Sequence, residues 1–348
     1  MRDPATPDAA GRRAGYSGLI IPFGLAAMTL LLWSIWWIVL AGRIGSRVDG
    51  AVADLRGHGY EVGYVKRTVS GWPFRTFVRF ETLHLRAPSG QALDAAELGA
   101  EANAYDPTHW VIAAPKGLVW TRGQKGAVAI GGEALRASIS GLDRSPPRIV
   151  VELRKPVFTP AVGAEPFPLA SADLVDFYVE PRADAADEGR FLFRIVGGMG
   201  RRGGILDWVA GGQRLSTEWS GVLTHVSALK GPTWPQAVRA WSRRGGDLVE
   251  VTAKANAGSE QAVLESTRLE VSGDGRLRGG ATLKLVHGPE ALIGLGRSGK
   301  VDPSAAALAA ATAAAGDIFN GRARLKLSFD EDGSRLGPVR LAPAPRLF

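Results

Sequence analysis

Residues 19–41, LIIPFGLAAMTLLLWSIWWIVLA, run for 23 positions without a charged side chain. Nothing else in the chain constrains its fold as strongly. As a helix, such a run crosses the ~30 Å hydrocarbon core of a bilayer, and a core helix of a soluble protein rarely goes so far without a charge. Leu19, Phe23, Leu30 and Leu40 supply apolar surface. Trp33, Trp36 and Trp37 gather in the second half, and Trp favours the membrane–water interface. A cleaved signal peptide is the rival reading, because Val39-Leu40-Ala41 places small residues suitably for cleavage. The run exceeds the usual length of about 7–15 residues for the apolar part of a signal, so an uncleaved anchor is expected. Arg12-Arg13 resembles a twin-arginine start, but Ala14-Gly15-Tyr16 does not continue it.

Charge does not orient the anchor. Arg2, Arg12 and Arg13 precede it, while Arg43, Arg47 and Arg56 follow it beside Asp49 and Asp54. Long C-terminal domains translocate largely regardless of such a bias. A short tail with paired arginines suits the cytoplasm. The expected organisation is therefore a cytoplasmic tail (1–18), a single transmembrane helix (19–41), an amphipathic connector helix (42–57) and a large extracytoplasmic domain (58–348). That domain is periplasmic if the anchor sits in the inner membrane of a Gram-negative cell. In the connector, Ile44, Val48, Val52 and Leu55 share one helical face, and Gly57 and Gly59 end the helix.

Beyond Gly59 the apolar period changes from 3.6 to 2, the signature of strands. Tyr60, Val62 and Tyr64 alternate with Glu61 and Gly63; Phe74, Thr76, Val78 and Phe80 alternate with Arg75 and Arg79. A phase slip before Leu83 and Leu85 predicts a bulge near Glu81 and Thr82. Alternation predicts further strands around 149–154, 175–179, 191–195, 249–253, 277–285 and 322–329, with turns at 272–275 and 330–333. The 45 glycines fit many turns. Helices are expected only at 235–244, 289–295 and 303–315. The fold class is mainly β: an N-terminal transmembrane helix, then a large antiparallel β-rich domain with a few short amphipathic helices. One apolar and one polar strand face fit either an open half-barrel or a sandwich.

Chemistry-bearing motifs fail on inspection. There is no Cys among the 348 residues, so disulfides, thiolate metal sites and thiol catalysis are excluded. His58, His84, His109, His225 and His287 are too dispersed for a metal helix. The segment 294–300 fits G-x-x-x-x-G-K, but Val301 stands where a P-loop needs Ser or Thr. The segment 198–203 fits G-x-G-x-x-G without a long following helix or a parallel unit. Asp330 and Asp332 read as turn residues rather than a calcium loop, and Asp184 and Asp187 as a loop pair. No catalytic, cofactor-binding or metal-binding residue is expected, and the chain is expected not to be an enzyme. The net charge of +8 is scattered rather than clustered, so it reads as a basic solvated surface and not as a nucleic-acid site.

The anchor, the short amphipathic helix, the Tyr-x-Val strand, the segment Ser70-Gly71-Trp72-Pro73-Phe74-Arg75 and the Leu336-Gly337-Pro338 ending together resemble the DUF2125 family of alphaproteobacteria, whose function is uncharacterised. That family is, more distantly, similar to YdgA-like and AsmA-like envelope proteins. The resemblance implies an inner-membrane anchor and a β-rich periplasmic domain, with a role in lipid traffic or envelope homeostasis. It implies no catalytic residues. Gly71, Trp72, Pro73 and Phe74 are the motif, expected to be structural with Trp72 packed on the sheet.

Two functions compete. In the first, amphipathic strands with few covering helices form a groove for acyl chains, lined by Phe74, Val78 and Phe80 on one strand and by Leu325, Leu327 and Phe329 on another. The helix at 235–244 then contacts membrane through Trp234, Trp241, Arg243 and Arg244. In the second, the domain is a structural or assembly element that binds a protein partner in the envelope.

Overall fold

The structure, a computed structural model, describes residues 17–142, 144–286, 288–316 and 322–347. The tail with Arg2, Arg12 and Arg13, as well as His287 and the side chain of Leu19, lie outside the described residues. Helix α1 (Ser17–Gly57) is continuous, so anchor and connector form one rod of 41 residues, roughly 60 Å long. It is long and apolar enough to cross a membrane. Gly59, at φ +82°, turns the chain into the sheet.

Twenty strands follow among the described residues, and every pairing is antiparallel. They are β1 (Glu61–Gly63), β2 (Lys66–Ser70), β3 (Arg75–Arg86), β4 (Gln91–Asn103), β5 (Asp106–Ala113), β6 (Leu118–Arg122) and β7 (Ala127–Gly131). Next come β8 (Ala134–Ser140), β9 (Arg148–Arg154), β10 (Val157–Pro160), β11 (Leu169–Ser171), β12 (Leu174–Pro181) and β13 (Gly189–Gly200). The rest are β14 (Leu215–Leu223), β15 (Asp247–Ala257), β16 (Glu260–Val271), β17 (Leu277–Val286), β18 (Arg322–Asp330), β19 (Gly333–Leu336) and β20 (Val339–Ala342). The expected bulge is not formed: Thr82 has φ +52° and is unpaired with β4, but the register resumes unshifted from Glu81–Glu97 to Leu83–Ala95, so the irregularity is a backbone kink without an inserted residue.

The sheet forks at β4. Its Gly99–Asn103 half pairs with β5 and its Gln91–Asp94 half with β6. One branch continues through β8, β9 and β12, the other through β7, β10 and β11, and both rejoin on β13. Between the branches lies a core of Val128, Ile130, Phe158 and Leu169 against Leu135, Leu153, Val175 and Ile195. From β13 onward a plain meander runs to β20.

Short helices cover parts of the meander. They are α2 (Ile205–Val209), α3 (Trp234–Arg243), α4 (Gly288–Arg297) and α5 (Pro303–Gly316). The Ala-rich α5 lays Ala309, Ala310 and Ala313 on Ala323, Leu325 and Leu336, because small side chains let helix and sheet approach closely. The glycines of the two phosphate-loop look-alikes serve the same end. A Cβ on Gly200 would lie 2.4 Å from the Asp207 nitrogen, and one on Gly294 2.1 Å from the Trp208 carbonyl oxygen. They admit α2 between β13 and α4.

Candidate functional site

In an antiparallel pair, directly opposed residues project to the same face. The register therefore traces rows across the sheet that no single strand reveals. One row begins Val69, Val78, Ala100, Ile112, Ala137 and Val151, on β2, β3, β4, β5, β8 and β9. It continues through Phe177, Phe193, Trp219, Ala253, Leu264, Leu283 and Leu325, on β12 to β18. Thirteen consecutive strands thus contribute an apolar residue to one line. At ~4.8 Å per strand the line is roughly 58 Å long.

The row is covered near its two ends, where Val78 and Leu325 are buried and the outermost Val69 is half-buried. Its middle is open: Phe177 is 37% exposed and Trp219 53%, and Val151, Phe193, Ala253 and Leu264 are half-buried. On one side the row is flanked by the core between the two branches and by the cluster of α4 and α5, on the other by α3.

The opposite face is charged. Arg136, Glu152, Asp176, Arg194, Glu218 and Lys254 face one another in register on β8, β9 and β12 to β15. Asp176 is buried and accepts hydrogen bonds from Nε and Nη2 of Arg194, the latter at 2.6 Å. The carboxylate holds the Arg194 guanidinium above its usual pKa through that hydrogen bond, against the opposing effect of burial. Beside them lies an open hollow of about 540 Å³, lined by Arg148, Tyr178, Glu180, Arg190 and Ser220. Among the described residues there is no group of three or more His, Asp or Glu side chains placed to hold a metal ion. Asp330 accepts from the backbone nitrogens of Asp332 and Gly333, which makes it a turn residue.

The structure separates the residues expected to line a groove. Val78 and Leu325 belong to the same row but lie near its two ends, with ten strands between them. Phe80 and Leu327 are half-buried one step to either side of the row, and Phe329 pairs with Gly279 one step further on. Phe74 lies outside the paired strands. It sits in the turn before β3, 65% exposed, with its ring 6.4 Å from that of Trp33 on α1. Trp72 departs from expectation in the same way. It is packed not on the sheet but on the helix, donating from Nε1 to Ser34 Oγ at 3.2 Å. Trp33 and Trp37 return the contact, donating to the carbonyl oxygens of Pro73 at 2.7 Å and Arg75 at 2.8 Å. Gly71 opens this turn, its carbonyl accepting from the Arg75 nitrogen.

Helix α3 divides its candidate membrane residues. Trp241 is 2% exposed, packs with Val238 and Val271, and donates to the Thr224 carbonyl, so it is a core residue and cannot reach a bilayer. Trp234, Arg243 and Arg244 are exposed. On α1, Phe23, Leu30 and Trp36 are exposed and Trp33, Trp37 and Leu40 are half-buried.

The aromatic residues that line the middle of the row, Phe177, Phe193 and Trp219, are absent from the sequence-based candidates. Alternation marks the first two as strand residues, but only the cross-strand register aligns them.

A family profile described as "Uncharacterized protein conserved in bacteria (DUF2125)" matches residues 37–345. No curated protein and no solved structure gives a significant match.

Proposed function

Given that the chain belongs to the DUF2125 family of uncharacterized proteins conserved in bacteria, we propose that it is a non-catalytic, membrane-anchored envelope protein whose sheet holds lipid acyl chains along its apolar row. The observation that carries this reading is the uninterrupted row with its open aromatic middle, set against a charged face on the other side of the same strands. A folded domain rarely leaves a line of large apolar side chains half-covered without an occupant. Each methylene removed from water contributes about 0.8 kcal/mol, so ten methylenes along the row supply about 8 kcal/mol before the cost of ordering the chain. The inner membrane as the site of the anchor, the periplasmic side for residues 58–348 and the distant kinship to AsmA-like and YdgA-like proteins belong to the same proposal.

Paired replacement of the exposed aromatics, Phe177→Glu with Trp219→Glu, tests it. Both positions reach solvent, so the expected change in stability is small, within about 1 kcal/mol. Parent and variant full-length chains purified in the same detergent share lipid held by the helix and differ only in lipid held by the row. Native mass spectrometry is expected to count fewer phospholipids per chain in the variant. Equal counts, or a lipid-free parent carrying a stoichiometric protein partner, would overturn the reading.

A further inference from the structure

The turn that carries Trp72 and Phe74 lies against the apolar part of α1, not beyond its end. Ser34, which accepts from Trp72 Nε1, is seven residues before Ala41, about 10 Å inside the end of the uncharged run. The neighbouring β4–β5 turn reaches the same place, because the Ala104 nitrogen donates to the Phe74 carbonyl at 2.8 Å. It presents Tyr105, 69% exposed. Trp72, Phe74 and Tyr105 are thus three exposed aromatics on two adjacent turns, beside Trp33, Trp36 and Trp37. Arg43 and Arg47, exposed on α1, follow just past the end of the run.

We propose that Trp72, Phe74 and Tyr105 form a tip immersed in the headgroup–acyl boundary of the bilayer that α1 crosses, in the leaflet on the domain's side. This rests on α1 being a membrane span. The occupant follows from continuity: side chains hydrogen-bonded to an apolar helix about 10 Å inside its uncharged run share the depth of that helix. Trp and Tyr are the residues that favour this layer, their rings meeting acyl chains and their polar edges meeting headgroups, and arginines just outside it meet lipid phosphates. The tip fixes the domain at the membrane rather than leaving it on a swinging tether. Arg67 of β2 adds to the hold by donating to the Gly45 carbonyl and to Asp49 of α1, each at 2.8 Å. The apolar row begins on the same two strands, β2 and β3, so its first residues lie next to the leaflet that would supply lipid.

The absence of Cys from the chain makes the test direct. Full-length Trp72→Cys and Tyr105→Cys variants, each carrying an environment-sensitive nitrobenzoxadiazole label, are reconstituted in phosphatidylcholine–phosphatidylglycerol vesicles with and without lipid bearing a doxyl quencher near the top of its acyl chain. Ile38→Cys reports on the helix, and Lys254→Cys on the charged face. The expected result is loss of emission at 72 and 105 comparable with that at 38, and none at 254. Quenching at 38 alone would overturn the tip while leaving the span intact. No quenching at 38 would overturn the span, and the tip with it. Among the described residues none is hydrogen-bonded to the Tyr105 side chain, which is 69% exposed, so its variant remains informative if loss of Trp72 disturbs the turn.

Discussion

Replacing Arg194 by Met is expected to destabilise the domain by about 3–5 kcal/mol, because it strands a buried carboxylate. Asp176 is 1% exposed, and the Arg194 guanidinium binds it through two nitrogens. Its cross-strand neighbour on β9 is another acid, Glu152, so no second cation stands opposite it in register to take over. The Arg194 side chain, 38% exposed, still reaches water. The reverse change, Asp176→Asn, leaves a cation that solvent can screen and is expected to cost less. Thermal unfolding of the detergent-solubilised chain orders the two variants. An Arg194→Met variant as stable as the parent would mean that the pair does not organise the charged face.

Trp241→Ala is expected to cost a similar amount, about 3–5 kcal/mol, the usual range for emptying a buried large aromatic site. The indole fills the space between α3 and the sheet beside Val238 and Val271, and it satisfies the Thr224 carbonyl. Gly246 has no side chain because the ring occupies that space: a Cβ there would lie 2.2 Å from the indole nitrogen. Trp234→Ala, at a half-exposed ring with one bond to the Leu347 carbonyl, is expected to cost under about 1 kcal/mol. Comparable losses for the two variants, read from denaturant midpoints, would contradict the division of α3 into a core half and an exposed half.

These two tryptophans show where the sequence was legible and where it was not. They stand seven residues apart, two turns of one helix, so periodicity puts them on one face. It does not say where the covered area stops, and Trp234 overhangs it. Strands with clean alternation, such as β9, β12, β13, β15, β17 and β18, were readable because each has an apolar and a polar face. Strand β4, QALDAAELGAEAN, was not, since Ala, Glu and Leu favour helix and its strand state is imposed by β3 on one side and by β5 and β6 on the other. The partner of Trp72 was invisible for a related reason. It lies 38 residues earlier on α1, and a turn motif carries no sign of what it meets. The apolar row itself is a product of register, which emerges only when all thirteen strands are paired.

The most direct measurement places a photoreactive benzophenone amino acid at position 219, in place of Trp219, and at position 254 on the opposite face of the neighbouring strand, in place of Lys254. Irradiation of living cells that express the full-length chain, followed by mass analysis of the purified protein, reads contact with lipid at each face. Phospholipid joined at 219 and not at 254 is the expected result. Crosslinks only to protein at 219, or lipid joined equally at both positions, would contradict the proposal that the apolar row holds lipid.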